Sequence, residues 1–468
     1  MGGLSQAFGI VQGALLADQQ AIDVTANNVG NANTPGYTRE IVNWQQNDPV
    51  TIDGRQLGTG SSIGSVSSQR DLILNQAIDQ QQQSLSAAQS RLNGLTAVEN
   101  IFNQVTTANS SSGTGGIGGA LSNFFGSLSS LEASPSNNSV RATVLSAAQS
   151  LAGSFNSAAS QLTGDTNSLN LRVTTSVQQI NGLTKTLASL NQEISTTTPT
   201  GDAGTLEDQR QQALSQLSQL IDVNQIQTSN NGLTLTTANG TVLVSGNKSY
   251  ALSTSLSSTG AEAVLSGGQD ISTSIQGGSL GGTLTNLYQD IPAVQSQIDT
   301  LAYQVASSVN AVQVAGADEN GAAGVALFKL PATATGAAAT ISVAITDPAK
   351  IAAAAVGNGP GDSSNAQTMA ALANKAIVGG ATPSGSYAAF LAGLGSNVQS
   401  LTTQVSSVTA SLAQLTTQQG SLSGVSQNQE AMNLQTYERS YQAASQTFNI
   451  LNTLMGVALN LGVQSAMA

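Results

Sequence analysis

The chain has 468 residues and a formal net charge of −12, from 13 basic and 25 acidic residues, with no histidine and no cysteine. Ser-His-Asp and Cys-His catalysis, histidine-ligated haem, His/Cys zinc sites and a disulfide framework are therefore excluded. No basic cluster offers itself to a phosphate backbone or an anionic membrane surface, and no run approaches the ~20 apolar residues of a membrane span.

The elements read as follows in chain order. Leu4, Phe8, Val11, Leu15, Ile22 and Val29 fall on 4-3 spacing, with Asp18 and Thr25 in the two gaps, and predict one helix over 4–31. Asn31, Asn33, Pro35, Gly36 and Tyr37 lie in the stretch that stops it, because proline cannot continue a helix and glycine permits a turn. Residues 38–70 read as extended and irregular. Helical period returns at Leu72 and runs to about 107. A Ser/Gly linker covers 109–119, and helices follow over 120–131 and from 137 to about 163. Leu169 to Ile194 and Leu206 to Leu220 give two further helical runs.

At Val223 the period shifts from helical to alternating. Leu233 and Leu235, then Val242 and Val244, alternate with Thr and Ser, and Asn231-Gly232 and Asn239-Gly240 supply turns between them. Residues 223–280 thus read as a small β domain. Helix returns at 284–315. Two short strands are expected near 325–329 and 340–345, then helices at 363–379 and 384–419. The last helix carries Leu434, Tyr437, Tyr441, Ala444, Phe448, Leu451, Met455 and Ala458 on unbroken 4-3 spacing.

The pattern predicts a mainly α fold with an inserted β domain, in nested layers. Residues 1–60 with 424–468 form an inner domain whose terminal helices pair as a coiled coil. Residues 61–222 with 284–423 form a long-helix bundle in the middle, with a small β/turn insert near 316–350. Residues 223–283 form the small outer β domain.

Three motifs carry a formal suggestion of chemistry. Gly113, Gly115 and Gly118 spell GxGxxG, but helix and Ser/Gly sequence surround them instead of the strand a dinucleotide site needs, so they read as linker. Asp318-Glu319-Asn320-Gly321 lacks the further ligands of a calcium loop and reads as a turn. Glu207 and Asp208 could be paired glycosidase carboxylates; beside Arg210 on a helix, they read as a solvated face or a structural ion pair. No catalytic residue, metal or cofactor is expected.

The terminal seams read differently. Chain ends usually fray, and the remaining faces of these two helices carry Ala, Gln, Asn, Ser and Thr with few charges. Burial between subunits is the reading adopted, with purely internal packing as the alternative.

Residues 14–39, ending in Asn31-Ala32-Asn33-Thr34-Pro35-Gly36-Tyr37-Thr38-Arg39, closely resemble the N-terminal signature of bacterial flagellar rod, hook and hook-associated proteins. Tyr437-Glu438-Arg439-Ser440-Tyr441-Gln442-Ala443-Ala444 resembles the matching C-terminal signature. Leu206-Glu207-Asp208-Gln209-Arg210, Asn239 to Gly246, Gly277 to Asn310, Asp347 to Ala352 and Gly361 to Ala366 resemble, in order, elements of the hook–filament junction members. Gln211 stands where those members often have Asp, and the β region is short.

The resemblance implies a structural subunit of the bacterial flagellum, forming a homo-oligomeric ring that adapts hook to filament. It implies hook protein and the second junction protein, FlgL, as partners. It implies export through the flagellar type III apparatus without a cleaved signal peptide. A dedicated export chaperone, FlgN, would hold the last helix, on Tyr441, Phe448, Leu451, Leu454 and Met455. The sequence agrees on one point: the first basic residue is Arg39, so no charged region of a Sec-type signal precedes it. The rivals are a hook or rod protein of the same family and, from other classes, a secreted carbohydrate-active enzyme or an adhesin.

Overall fold

The computed structural model describes residues 2–52, 54–102, 116–197, 202–229 and 231–465, so Gly113 and Gly115 of the formal GxGxxG lie outside the described residues. The helices are α1 (Gly2–Gly30), α2 (Leu72–Phe102), α3 (Gly116–Ala133), α4 (Asn138–Thr197), α5 (Thr205–Leu220) and α6 (Gly278–Thr285). They continue with α7 (Ile291–Ala315), α8 (Ala337–Thr340), α9 (Ser364–Ala371), α10 (Pro383–Ser423) and α11 (Gln427–Ser465). Strands β1 (Glu40–Gln46), β2 (Val50–Ile52), β3 (Arg55–Leu57) and β4 (Ser61–Ser68) follow α1; β1 pairs with β4 and β2 with β3, all antiparallel. Residues 61–68, at the start of the segment assigned to the middle domain, form β4 and pair with β1. The stretch read as irregular is a long hairpin, bulged at Asn43/Trp44.

Helix α4 is 60 residues long and does not break between the two runs read from the sequence. Its weak segment, Gly164 to Ser168, is carried by packing on both sides: Phe155, Leu162, Val173 and Ile180 are fully buried. Local stops elsewhere are chemical. Asp71 caps α2 by accepting the Leu74 N–H at 3.0 Å, and Thr382 caps α10 by accepting from Gly385, with Pro383 at the first helical position. Helix α6 crosses α2 so closely that a Cβ on Gly282 would stand 2.2 Å from the Ala87 carbonyl oxygen, which leaves room for glycine alone.

The β unit lies on α4. Strands β5 (Asn224–Gln227), β6 (Leu233–Thr236), β7 (Val242–Ser245) and β8 (Lys248–Ser249) form one antiparallel sheet in sequence order. Strands β9 (Leu252–Leu256), β10 (Glu262–Ser266) and β11 (Gln269–Asp270) form a second. Three asparagines of α4 hold the unit by its backbone. Asn170 donates to Gly260 O and accepts the Glu262 N–H; Asn181 donates to Leu252 O and accepts the Leu252 N–H; Asn191 donates to Leu233 O and Gly246 O. The amide supplies donor and acceptor together, so it satisfies edge backbone that packing alone would leave orphaned.

Four short strands complete the fold. Of these, β13 (Phe328–Lys329) pairs with β14 (Ser342–Val343) at the two places expected for the insert, and β12 (Gly316–Ala317) pairs with β15 (Ala354–Ala355), which the sequence pattern does not place. One hydrophobic core runs from Phe124, Phe155 and Phe328 in the helical body to Leu235, Leu243 and Val244 in the β unit. Among the described residues, none from α1 or α11 belongs to it. The body and the β unit are one folded mass, and the terminal layer stands outside it. No helix among the described residues is long and apolar enough to cross a membrane.

Candidate subunit interface and the joint behind it

Helices α1 and α11 pack antiparallel. Phe8 and Phe448 meet with ring centroids 4.5 Å apart, while near the other end Asn28 reaches Glu430 at 3.2 Å. The hairpin adds a third surface, with Trp44 of β1 against Tyr437 of α11, centroids 6.2 Å apart.

The pair buries its apolar residues incompletely. Leu4, Phe8, Val11, Leu15, Ile22, Leu434, Tyr437, Phe448, Leu451 and Met455 are all half-buried, and Val29 and Tyr441 are exposed. What is fully buried is small or polar: Ala17, Ala21, Asp18, Thr25 and Asn28. The 4-3 seam named the large residues and passed over Ala17, Ala21 and Asn28, because an α-helix at 3.6 residues per turn drifts off a strict 3.5 repeat. Asp18, only 4% exposed, has one carboxylate oxygen without a hydrogen-bond partner among the described residues.

Beside the seam lies a second apolar stripe. Ile450, Leu454 and Val457 recur at i, i+4 and i+7 on α11, and all three are exposed, as is Leu16 on α1. The faces read as Ala, Gln, Asn, Ser and Thr with few charges thus carry large aliphatic residues as well. Two helices with half-covered seams and exposed aliphatics outside them form an incomplete bundle.

A polar joint ties this layer to the body. Its first half centres on Asn28 and Glu430, each 1% exposed. Asn28 Oδ1 accepts the Tyr37 hydroxyl at 2.8 Å and the Glu40 N–H at 2.9 Å, and its Nδ2 donates to Glu40 O. Arg39 Nε donates to Glu430 at 2.7 Å, and the Arg39 N–H donates to Ser423 O. Its second half centres on Asp208 of α5. Asp208 accepts the Thr38 N–H at 2.9 Å, the Thr38 hydroxyl at 2.6 Å and Arg70 Nη2 at 2.7 Å. Arg70 also pairs with Glu207, and Ser68 donates twice to Asp202.

Electrostatics follow the burial. Burial, followed by Asp202 and Asp208, lifts the Glu40 carboxyl above its ordinary value. The Tyr37 phenol is raised by burial and by the neighbouring carboxylates of Glu40, Asp208 and Glu430. Burial opposes ionisation of Asp202, but hydrogen bonds from Ser68 and Gly204 and the Arg70 charge outweigh it and hold that carboxyl low.

The rest of the signature turn sits at the same joint. Gln212 donates to Pro35 O at 2.6 Å and its side chain fills the space beside Gly36, where φ is +79°. Asn31 bonds back to Asn27, and Asn33 is exposed. The structure thus brings together residues that sequence reading handled as separate motifs: Tyr37, Thr38 and Arg39, and the Glu207–Asp208 pair. The carboxylates read as a structural ion pair are tied up by Arg70, and Asp318 accepts from Lys350 and from two backbone N–H groups of its turn. Among the described residues no group of three His, Cys, Asp or Glu stands ready for a metal. Arg70 and Glu430 carry the joint and were not singled out from sequence; they have no periodicity by which to find them.

Comparison with known proteins agrees with this architecture. Residues 95–328 match the helical domain of flagellar hook-associated protein FlgK, and residues 10–38 match the flagella basal body rod protein family. The chain is 26% identical to flagellar hook-associated protein 1 of Escherichia coli K12, over 98% of this chain and 100% of that one. It is 28% identical to the protein of that name from Bacillus subtilis 168, over 96% of each. The Escherichia coli alignment runs over 559 positions against 468 residues here, so that relative carries sequence this chain lacks. The flagellar hook junction protein FlgK of Burkholderia pseudomallei has a similar fold, with a TM-score of 0.67 at 20% identity over 75% of this chain and all of that one. A helical-domain match over half the chain, together with end-to-end relatives, means that this protein belongs to the FlgK family of flagellar hook-associated proteins.

Proposed function

We propose that copies of this chain close into a ring through the α1–α11 pair, and that the ring joins hook to filament with its body and β unit facing outward. As a member of the family the chain is a structural subunit of the flagellum at the junction of hook and filament. The observation that carries the ring is the incomplete bundle: no described residue of α1 or α11 joins the main core, and their large apolar side chains stay half-covered. Covering the exposed part of each half-buried large side chain with a neighbour stabilises the ring by at most roughly 1.5 kcal/mol.

Hook protein would meet one rim of the ring and FlgL the other. Before export, FlgN would cover Tyr441, Phe448, Leu451, Leu454 and Met455, since an exposed apolar stripe on a free chain aggregates. Export would pass through the type III apparatus with the N-terminus kept. The subunit works as a scaffold, without turnover of a substrate.

Deletion of residues 434–461 tests this reading. Amide protection in α4 should stay, while ring incorporation and chaperone binding are lost. Filament growth on hooks supplied only with the truncated chain would overturn it.

A further inference from the structure

The β6–β7 hairpin turns at Asn239–Gly240, on the exposed surface of the β unit. Three donors converge on the side-chain carbonyl oxygen of Asn239. The hydroxyl of Thr237, which is fully buried, donates to it; the Thr241 hydroxyl donates at 3.2 Å; the Thr241 N–H, which donates to Thr237 Oγ1 at 3.1 Å, also points to it at 3.5 Å. Withdrawing electrons through that oxygen makes Asn239 Cγ electron-poor. The next backbone nitrogen belongs to Gly240, with φ at +89° and open space where a side chain would stand.

We propose that Asn239 is a self-modification site, at which the chain converts its own amide to a carboxylate. The Gly240 backbone nitrogen gives up its proton to water or hydroxide and forms a bond to Asn239 Cγ. Negative charge builds on Oδ1, where the two hydroxyls and the N–H already point, as donors do in an oxyanion hole. The Cγ–Nδ2 bond then breaks, and Nδ2 takes up a proton and leaves as ammonia. Water opens the resulting succinimide at either carbonyl, leaving an aspartyl or isoaspartyl residue at position 239. The Gly240 N–H is held by Thr237 O at 2.9 Å, so the turn must open slightly before the attack.

Four other Asn–Gly pairs lack this arrangement. Asn93 and Asn181 lie inside α2 and α4, and Asn181 is held at both ends of its amide by Leu252. At Asn320 and Asn358 no hydroxyl reaches the side-chain carbonyl among the described residues. The conversion has a structural consequence. Ala238 N–H donates to Asp222 at 3.1 Å, and the other oxygen of that buried carboxylate is unpartnered among the described residues. A new carboxylate in this turn, or a backbone one carbon longer, loosens the hairpin where the β unit meets the end of α5.

The test is peptide mass mapping of the full-length protein held in mildly alkaline buffer, folded and urea-unfolded, with isoaspartyl methyltransferase labelling of the product. Each conversion adds about one dalton. The folded chain should convert at Asn239 roughly fivefold faster than the unfolded chain, with Asn320 and Asn358 slower, because the unfolded chain has lost the donors. Thr241→Val should slow conversion roughly threefold, while Thr241→Ser, which keeps the hydroxyl, should not. A folded rate equal to or below the unfolded rate overturns the proposal, as does an unchanged rate in Thr241→Val with a native melting curve.

Discussion

Glu430 accepts the Nε–H of Arg39 at 2.7 Å, joining the first turn of α11 to the segment that leaves α1, 391 residues earlier in the chain. The Arg39 side chain is nine-tenths covered and Glu430 almost wholly so, which makes this an ion pair that solvent screens little. Asn28 donates to the second oxygen of the same carboxylate, so one residue of α11 anchors both the helix and the strand it faces.

Glu430→Ala removes the acceptor of Arg39 Nε and leaves the Asn28 amide with Glu40 O as its acceptor. The expected cost is about 3 kcal/mol, confined to the terminal layer. Hydrogen exchange should quicken in the first turns of α11 and in β1 and leave α4 unchanged. Glu430→Gln, which keeps one acceptor and the shape, should lose less.

The Phe8–Phe448 pair separates two kinds of stability. Both rings are half-exposed, so Phe448→Ala should cost the isolated subunit only about 1 kcal/mol in the helix pair. Ring assembly should suffer far more, because each copy presents the same defect. A near-native melting curve with failed incorporation into hooks is the expected outcome.

Asp79 of α2 sets a pH dependence. Its side chain is buried, and burial lifts its carboxyl from the usual 3.8 to about 6 against hydrogen bonds from Gln211 and Gln225. Because the folded chain holds this proton more tightly than the unfolded chain, the stabilising contribution is full below about pH 4. It is lost as pH rises through about 6. Asp79→Asn should raise stability at neutral pH, by at most about 3 kcal/mol, and flatten the change between pH 4 and 6. The swap fits because both glutamines donate to one oxygen while the other has no partner among the described residues. Thermal melts across that range check it.

Asn181→Ala should detach an edge of the β unit. The Leu252 N–H and C=O would both lose their partner, at about 1–3 kcal/mol each if water cannot replace it. Exchange at Leu252 and its neighbours in β9 should rise before that of β6 or β7.

Periodic features were legible in the sequence. The 4-3 seams placed α1, α10 and α11, alternation with Asn–Gly turns placed β6 and β7, and β13 and β14 fell where expected. Fold class and family followed from these and from the two terminal signatures. The joint was not legible. Thr38, Arg70, Asp208 and Glu430 stand far apart in sequence and repeat nothing, so only the fold brings them together. Small buried residues were equally silent: Ala17 and Ala21 form the tightest part of the helix pair but read as filler beside Leu and Phe. The unbroken α4 was missed because Gly164 and its polar neighbours have weak helix propensity, which flanking burial overrides. The 363–379 helix ends at Ala371, where a 3-10 turn (Leu372–Asn374) follows.

A straight helix rises 1.5 Å per residue, so the 60 residues of α4 make a strut about 90 Å long. It has no proline within it and no flexible link between its ends. Bending or twisting force received at the β unit therefore passes to the far pole of the body as strain in one rigid rod. Compliance is left to the polar joint, where a few ion pairs can yield and re-form.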